Sequence, residues 1–126
     1  MSTLVHFVTH ATGEHAELAV HGEIDASNTA LLHDAIQQAV HGGRAVLVID
    51  LTAITYLDSA GINTLFRIHR DLTRTGVELH LVAPVGCCSR YALNLVCAQR
   101  LVPIHDSRPE LRSLPVARAS GAAART

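Results

Sequence analysis

Asp58 and Ser59, within ITYLDSAGINTLF (residues 54–66), set a carboxylate beside a hydroxyl where an apolar run gives way to a helical pattern. If Asp58 caps that helix, Ser59 lies in its first turn, next to backbone N–H groups without partners and the positive end of the helix dipole. Such a place suits an anion. A phosphate ester on Ser59 would bring a charge of about −1.5 to −2 and three acceptor oxygens, which a helix N-terminus accommodates without unfolding. Ala60 and Gly61 keep the approach open. The Asp58 carboxylate works in both directions: it caps the helix and aims the hydroxyl outward, yet it repels a phosphate placed beside it. Taken alone, the same residues also make an ordinary capped helix start, since Asp and Ser are among the commonest residues there.

Other chemistry finds less support. Ser59 does not sit in a GxSxG turn, and the nearest histidine on its own helix, His69, lies about 15 Å along the axis, too far for a dyad within one helix. An enzyme is not expected. A phosphate cradle for a nucleotide would need Walker A or GxGxxG; HGGR (41–44) precedes a strand instead of opening a helix, so its glycines read as a helix stop and turn. The histidines, His6, His10, His15, His21, His33, His41, His69, His80 and His105, are scattered without HExxH or Cys/His ligand spacing. No metal or cofactor is implied. Cys87 and Cys88 at a helix start are read as small buried apolar residues, with low-pKa thiols as the other possibility. Arg67, Arg70 and Arg74 form a solvated helix stripe that can also serve as a partner surface.

Positioning Ser59 requires a sheet and helices. LVHFVTH and AELAVHG, joined by ATGEH, predict an antiparallel hairpin. From Asp25 the period becomes helical: Leu31, Leu32, Ala35, Ile36, Ala39 and Val40 share a face, with Asp25 or Ser27 as the cap and Gly42 and Gly43 as the stop. AVLVIDL (45–51) has the composition of a central strand buried on both faces of a parallel sheet. A second helix enters at Ser59 with Ile62, Leu65, Phe66, Ile68 and Leu72 inward and ends at Gly76. VELHLVA is a strand, GCCSRYALNLVCA a third helix, LVPIHD a last short strand, and RPELRSL a helical turn. The expected order is ββαβαβαβα, an α/β domain with a mostly parallel mixed sheet and one antiparallel strand. The domain is expected to span residues 1–114, with a frayed tail from Pro115 to Thr126.

Composition agrees with one compact module. The chain has 126 residues, 48% hydrophobic and 17% charged, enough to bury a core. Ten basic against eleven acidic side chains leave a net charge of −1, no electrostatic footprint for nucleic acid or anionic lipid. Apolar runs are strand-sized, no membrane insertion is expected, and the N-terminus lacks a signal-peptide pattern, so the cytoplasm is the expected location. An odd number of cysteines fits reduced thiols. Nothing in the pattern specifies an oligomeric state.

VLVIDLTAITYLDSAG closely resembles the signature of the STAS domain family, and VHGEID (20–25) and LNLVCAQRLVPIHDS are similar to its second signature and its last helix and strand. The resemblance spans roughly residues 3–114. It implies the fold of bacterial anti-sigma factor antagonists. Such proteins bind an anti-sigma factor that is also a serine kinase; binding frees the sigma factor, phosphorylation of the serine weakens the complex, and a phosphatase resets it. Carried over, Ser59 is the phosphoacceptor, and Asp25, Asp58, Ala60, Gly61 and Asn63 join it on the docking rim. Cys97 stands where many relatives carry a helix-ending Gly. The family also includes non-phosphorylated adaptor modules of transporters, lipid-trafficking and stress-signalling complexes.

Overall fold

The computed structural model describes residues 5–108. Strands β1 (Val5–Thr12) and β2 (His15–Ile24) form the antiparallel hairpin. Helix α1 (Thr29–Val40) leads to β3 (Val46–Asp50) and β4 (Ile54–Leu57), followed by α2 (Ser59–Arg74), β5 (Glu78–Val82), α3 (Cys88–Leu95), a 3-10 turn (Ala98–Arg100) and β6 (Ile104–His105). The sheet runs β1-β2-β3-β5-β6, with every pair after the first parallel.

The expected order lacks one strand. AVLVIDLTAITYL is not a strand followed by a loop: Asp50 turns the chain by accepting from the Thr52 N–H and hydroxyl, and Ile54–Leu57 then pairs with β2. β2 is long enough to serve two parallel partners in succession. It pairs with β3 from His15↔Val46 to Ala19↔Asp50, and with β4 from Gly22↔Ile54 to Ile24↔Leu57. The register shifts between Gly22 and Glu23, and Gly22 has φ +111°, a conformation glycine adopts without steric cost.

One face of the sheet carries the main core. Ala16, Leu18 and Val20 of β2, Leu47 and Ile49 of β3, and Leu79 and Leu81 of β5 meet Leu32 and Ile36 of α1 and Ile62, Leu65, Ile68 and Leu72 of α2. Burying each large aliphatic side chain contributes roughly 1.5–3 kcal/mol, which holds α2 to the sheet over its whole length. The opposite face has a smaller apolar cluster of Ala45, Val46, Val48 and Val82. Around it the register aligns polar rows, with Glu17, Val48 and His80 in one and His15, Val46 and Glu78 in another.

Two helix starts and stops differ from expectation. α1 begins after Asn28 and not at Asp25 or Ser27; the Asp25 carboxylate instead accepts from the Ser27 N–H and hydroxyl in a turn before the helix. α3 ends at Leu95, and Cys97 takes the left-handed conformation at φ +56° that a Gly would adopt more cheaply. The helical turn expected over 108–114 lies, beyond Arg108, outside the described residues, as does the tail from Pro115.

Candidate functional site

The rim at the start of α2 is built by strand register. Ile24 and Leu57 are paired, and the Asp58 N–H donates to the Ile24 carbonyl at 3.4 Å, so Asp25 and Asp58 leave the sheet side by side. Asp58 has extended backbone (ψ −174°), and its carboxylate accepts from the Gly61 N–H at 3.1 Å, capping α2. Ser59 is therefore the first helical residue. It is exposed, and its side chain has no hydrogen-bond partner among the described residues.

Gly61 is buried beneath this surface. A Cβ there would stand 2.7 Å from both Ile24 Cγ2 and Leu57 Cδ1, so glycine lets the first turn of α2 rest on the two strand ends. Ala60 is half-buried and Asn63 exposed on the same turns.

The other side of the rim is pinned by a residue that sequence reasoning missed. Asn28, 2% exposed, accepts from the Asp25 N–H at 3.0 Å and donates to the Glu23 carbonyl at 2.8 Å. Its only sequence signal is an amide directly before a helix. The Asp25 carboxyl is held below its ordinary range, first by the hydrogen bond from the Ser27 hydroxyl and then by that from the Ser27 N–H. Asp25 thus stays ionised beside the Ser59 turn.

From Ala60 the surface falls into a groove of about 700 Å³ along α2, lined on its flanks by Thr29 and Leu101 and along the helix by Asn63, Arg67 and Arg70. A second depression adjoins β4, with Tyr56, Tyr91 and Leu95 exposed around it. Cys87 and Cys88 lie at its edge. Burial was expected for both, but Cys88 is exposed and Cys87 only half-buried with its sulfur 3.2 Å from the Ser89 hydroxyl.

His69 lines the groove on α2, and among the described residues no histidine hydrogen-bonds to Ser59. On the opposite sheet face, His80 is linked through one ring nitrogen to Glu78 at 3.2 Å and through the other to His105 at 3.0 Å. Burial holds the His80 ring below its ordinary pKa, while Glu78 opposes that shift. Among the described residues no three His, Cys, Asp or Glu side chains gather as a metal site, and no helix is long and apolar enough to cross a membrane.

Comparison with solved structures gives the same fold. An anti-sigma factor antagonist from Mycobacterium paratuberculosis superposes with a TM-score of 0.74 at 24% identity, covering 84% of this chain and 89% of that one. The anti-sigma factor antagonist SpoIIAA in its unphosphorylated form superposes with a TM-score of 0.65 at 18% identity over 92% of this chain and 99% of that one. Among curated sequences, low affinity sulfate transporter 3 of Stylosanthes hamata is 39% identical over 51 residues, which is 40% of this chain and 8% of the transporter. The chain thus spans less than a tenth of that relative's length. The STAS domain model matches residues 6–110, nearly the whole described fold, and the chain belongs to the STAS domain family.

Proposed function

We propose that the protein is an anti-sigma factor antagonist whose docking rim binds an anti-sigma factor with serine kinase activity and is switched off by phosphorylation of Ser59. The observation that carries this reading is the position of Ser59: exposed, first in α2, without a side-chain partner among the described residues, and next to the Asp58 cap and the strand end bearing Asp25. A small neutral hydroxyl there can be covered by a partner. A phosphate in the same place must be desolvated inside the complex and stands beside Asp58 and Asp25, which repel it. Shifting a complex from mostly formed to mostly free takes about 5 kcal/mol of differential binding, within reach of a dianion in an interface. No step of this requires refolding, because the residues that hold the turn lie beneath it. The reading places the protein in the cytoplasm, with a phosphatase completing the cycle and transcription regulated through sigma factor release. It assigns Ser59 no catalytic part.

The experiment is incubation with ATP and a candidate anti-sigma kinase, followed by phosphosite mapping by mass spectrometry and binding assays. The expected result is phosphate on Ser59, kinase binding by wild type and Ser59→Ala, and at least about a hundredfold loss in Ser59→Asp. A second reading, a non-phosphorylated adaptor module of a transporter or other assembly, draws on the sequence likeness to part of a sulfate transporter. Absence of label together with undiminished partner binding by Ser59→Asp would select it.

A further inference from the structure

We propose that the Arg67 and Arg70 side of α2 is a docking track for an acidic helical segment of a protein partner, continuing the surface that begins at Ser59. Both arginines are exposed and line the groove that starts at Ala60 and Asn63. None of the residues lining that groove is acidic. Among the described residues Arg70 has no ion-pair or hydrogen-bond partner, and Arg67 reaches only the Thr64 hydroxyl, at 3.5 Å. Three other arginines are held in ion pairs, Arg74 with Asp71 at 2.8 Å, Arg90 with Asp106 at 3.0 Å, and Arg108 with Glu17 and Asp50 at 3.4 Å, while Arg100 is exposed and has no ion-pair partner among the described residues. In a chain of net charge −1, two cations one turn apart, without an ion-pair partner or an acidic neighbour in the groove among the described residues, form a local positive strip.

Spacing gives the occupant. Arg67 and Arg70 are one turn apart, so their Cβ atoms lie about 5–6 Å from each other, the separation of two carboxylates at i and i+3 or i+4 of a partner helix. From Ala60 to Arg70 the track runs about 15 Å, three turns of such a helix. On the far side of Arg67 a second depression contains Asp34 and Asp71, which would turn an acidic segment back toward Arg70. The contribution is to orientation and rate of encounter as well as to affinity.

The track rests on the proposed docking rim only for the identity of its partner. Its test uses the full chain, 15N-labelled, titrated with an amidated alanine-based helical peptide bearing glutamates at i and i+3, and with the lysine counterpart. The expected result is amide shifts concentrated over residues 60–70, affinity lowered at least about tenfold by R67E/R70E at 0.05 M salt, and retention within about threefold by R67K/R70K. Both positions are exposed, and circular dichroism of the variants confirms folding. Unaltered binding by R67E/R70E, equal binding of the lysine peptide, or displacement by millimolar inorganic phosphate would overturn the track, the last making it a site for a small anion. The titration involves no kinase: its failure with a functioning Ser59 switch, or its success without any phosphorylation of Ser59, separates the two readings.

Discussion

Replacing Gly61 by alanine tests whether the rim is held by close approach of α2 to the strand ends. Two effects oppose each other. Alanine is favoured over glycine in a helix by about 1 kcal/mol. Against this, the new methyl would stand 2.7 Å from Ile24 Cγ2 and from Leu57 Cδ1, well inside van der Waals contact. Leu57 Cδ1 ends a flexible side chain and can rotate aside. Ile24 Cγ2 cannot: it is fixed to a β-branched carbon on a fully buried strand residue, with restricted χ1 and no free space to enter. Relief must therefore come from lifting the first turn of α2, which stretches the 3.1 Å bond from the Gly61 N–H to the Asp58 carboxylate, a cap worth about 1 kcal/mol. Overpacking of about 1–3 kcal/mol plus partial loss of the cap exceeds the helix gain, for a net destabilisation of about 1–2 kcal/mol. In a domain of this size the melting temperature falls by roughly 3–8 °C. Calorimetry and urea denaturation measure it, and amide shifts of residues 58–62 report whether the turn has moved. An unchanged or raised melting temperature would refute the reasoning, since it would mean that the strand ends leave room for a side chain.

Cys97→Gly should stabilise the fold by about 0.5–1 kcal/mol, because the left-handed backbone at φ +56° costs a non-glycine residue about 1–2 kcal/mol, offset by the greater freedom of glycine in the unfolded chain; a lower urea midpoint would count against this. The His80 ring is held below its ordinary value of 6.5 chiefly by burial, so the unfolded chain takes up this proton first. Stability is then full above about pH 7 and declines as the pH falls through about 6.5 toward the depressed folded value. His80→Gln should give a lower but flatter urea midpoint across pH 7.5 to 5, and a slope as steep as wild type would exclude His80 as its source.

Much of the architecture was legible because local pattern and tertiary role coincide. α2 shows this: its inward stripe of Ile62, Leu65, Ile68 and Leu72 has helical period, and Asp58 is a cap by residue type and in fact. VLVID reads as a central strand because both of its faces are buried. β4 was missed because four residues with Thr55 and Tyr56 exposed hold too little pattern, and its pairing depends on β2 changing partners at Gly22. The role of Asn28 was equally hidden, since it does not cap α1 with its side chain but bridges Glu23 at the end of β2 and Asp25 in the loop that follows. The link between His80 and His105 joins residues that only the parallel register of β5 and β6 brings together. At the rim, Ser59 stands out by its neighbours in sequence, whereas the groove beyond it needs the packing of α1 beside α2 to exist.

The arrangement separates what holds the rim from what it displays. Ile24 and Leu57 set the height of the two strand ends, Gly61 lets α2 rest on them, Asp58 closes the first turn and Asn28 fixes the opposite loop, all through buried or half-buried contacts. Ser59 takes no part in this scaffold among the described residues, so a change of charge on its oxygen removes no internal hydrogen bond and empties no packed space. The cost of a phosphate in the free protein is then limited to repulsion from Asp58 and Asp25 in open solvent, where screening keeps it small. In a complex the same group would be desolvated, and the repulsion would act at low effective dielectric. On the proposed reading, this asymmetry between free and bound states suits the rim to a reversible modification: the penalty of a phosphate on Ser59 would fall on association while the fold that presents the serine would be left intact.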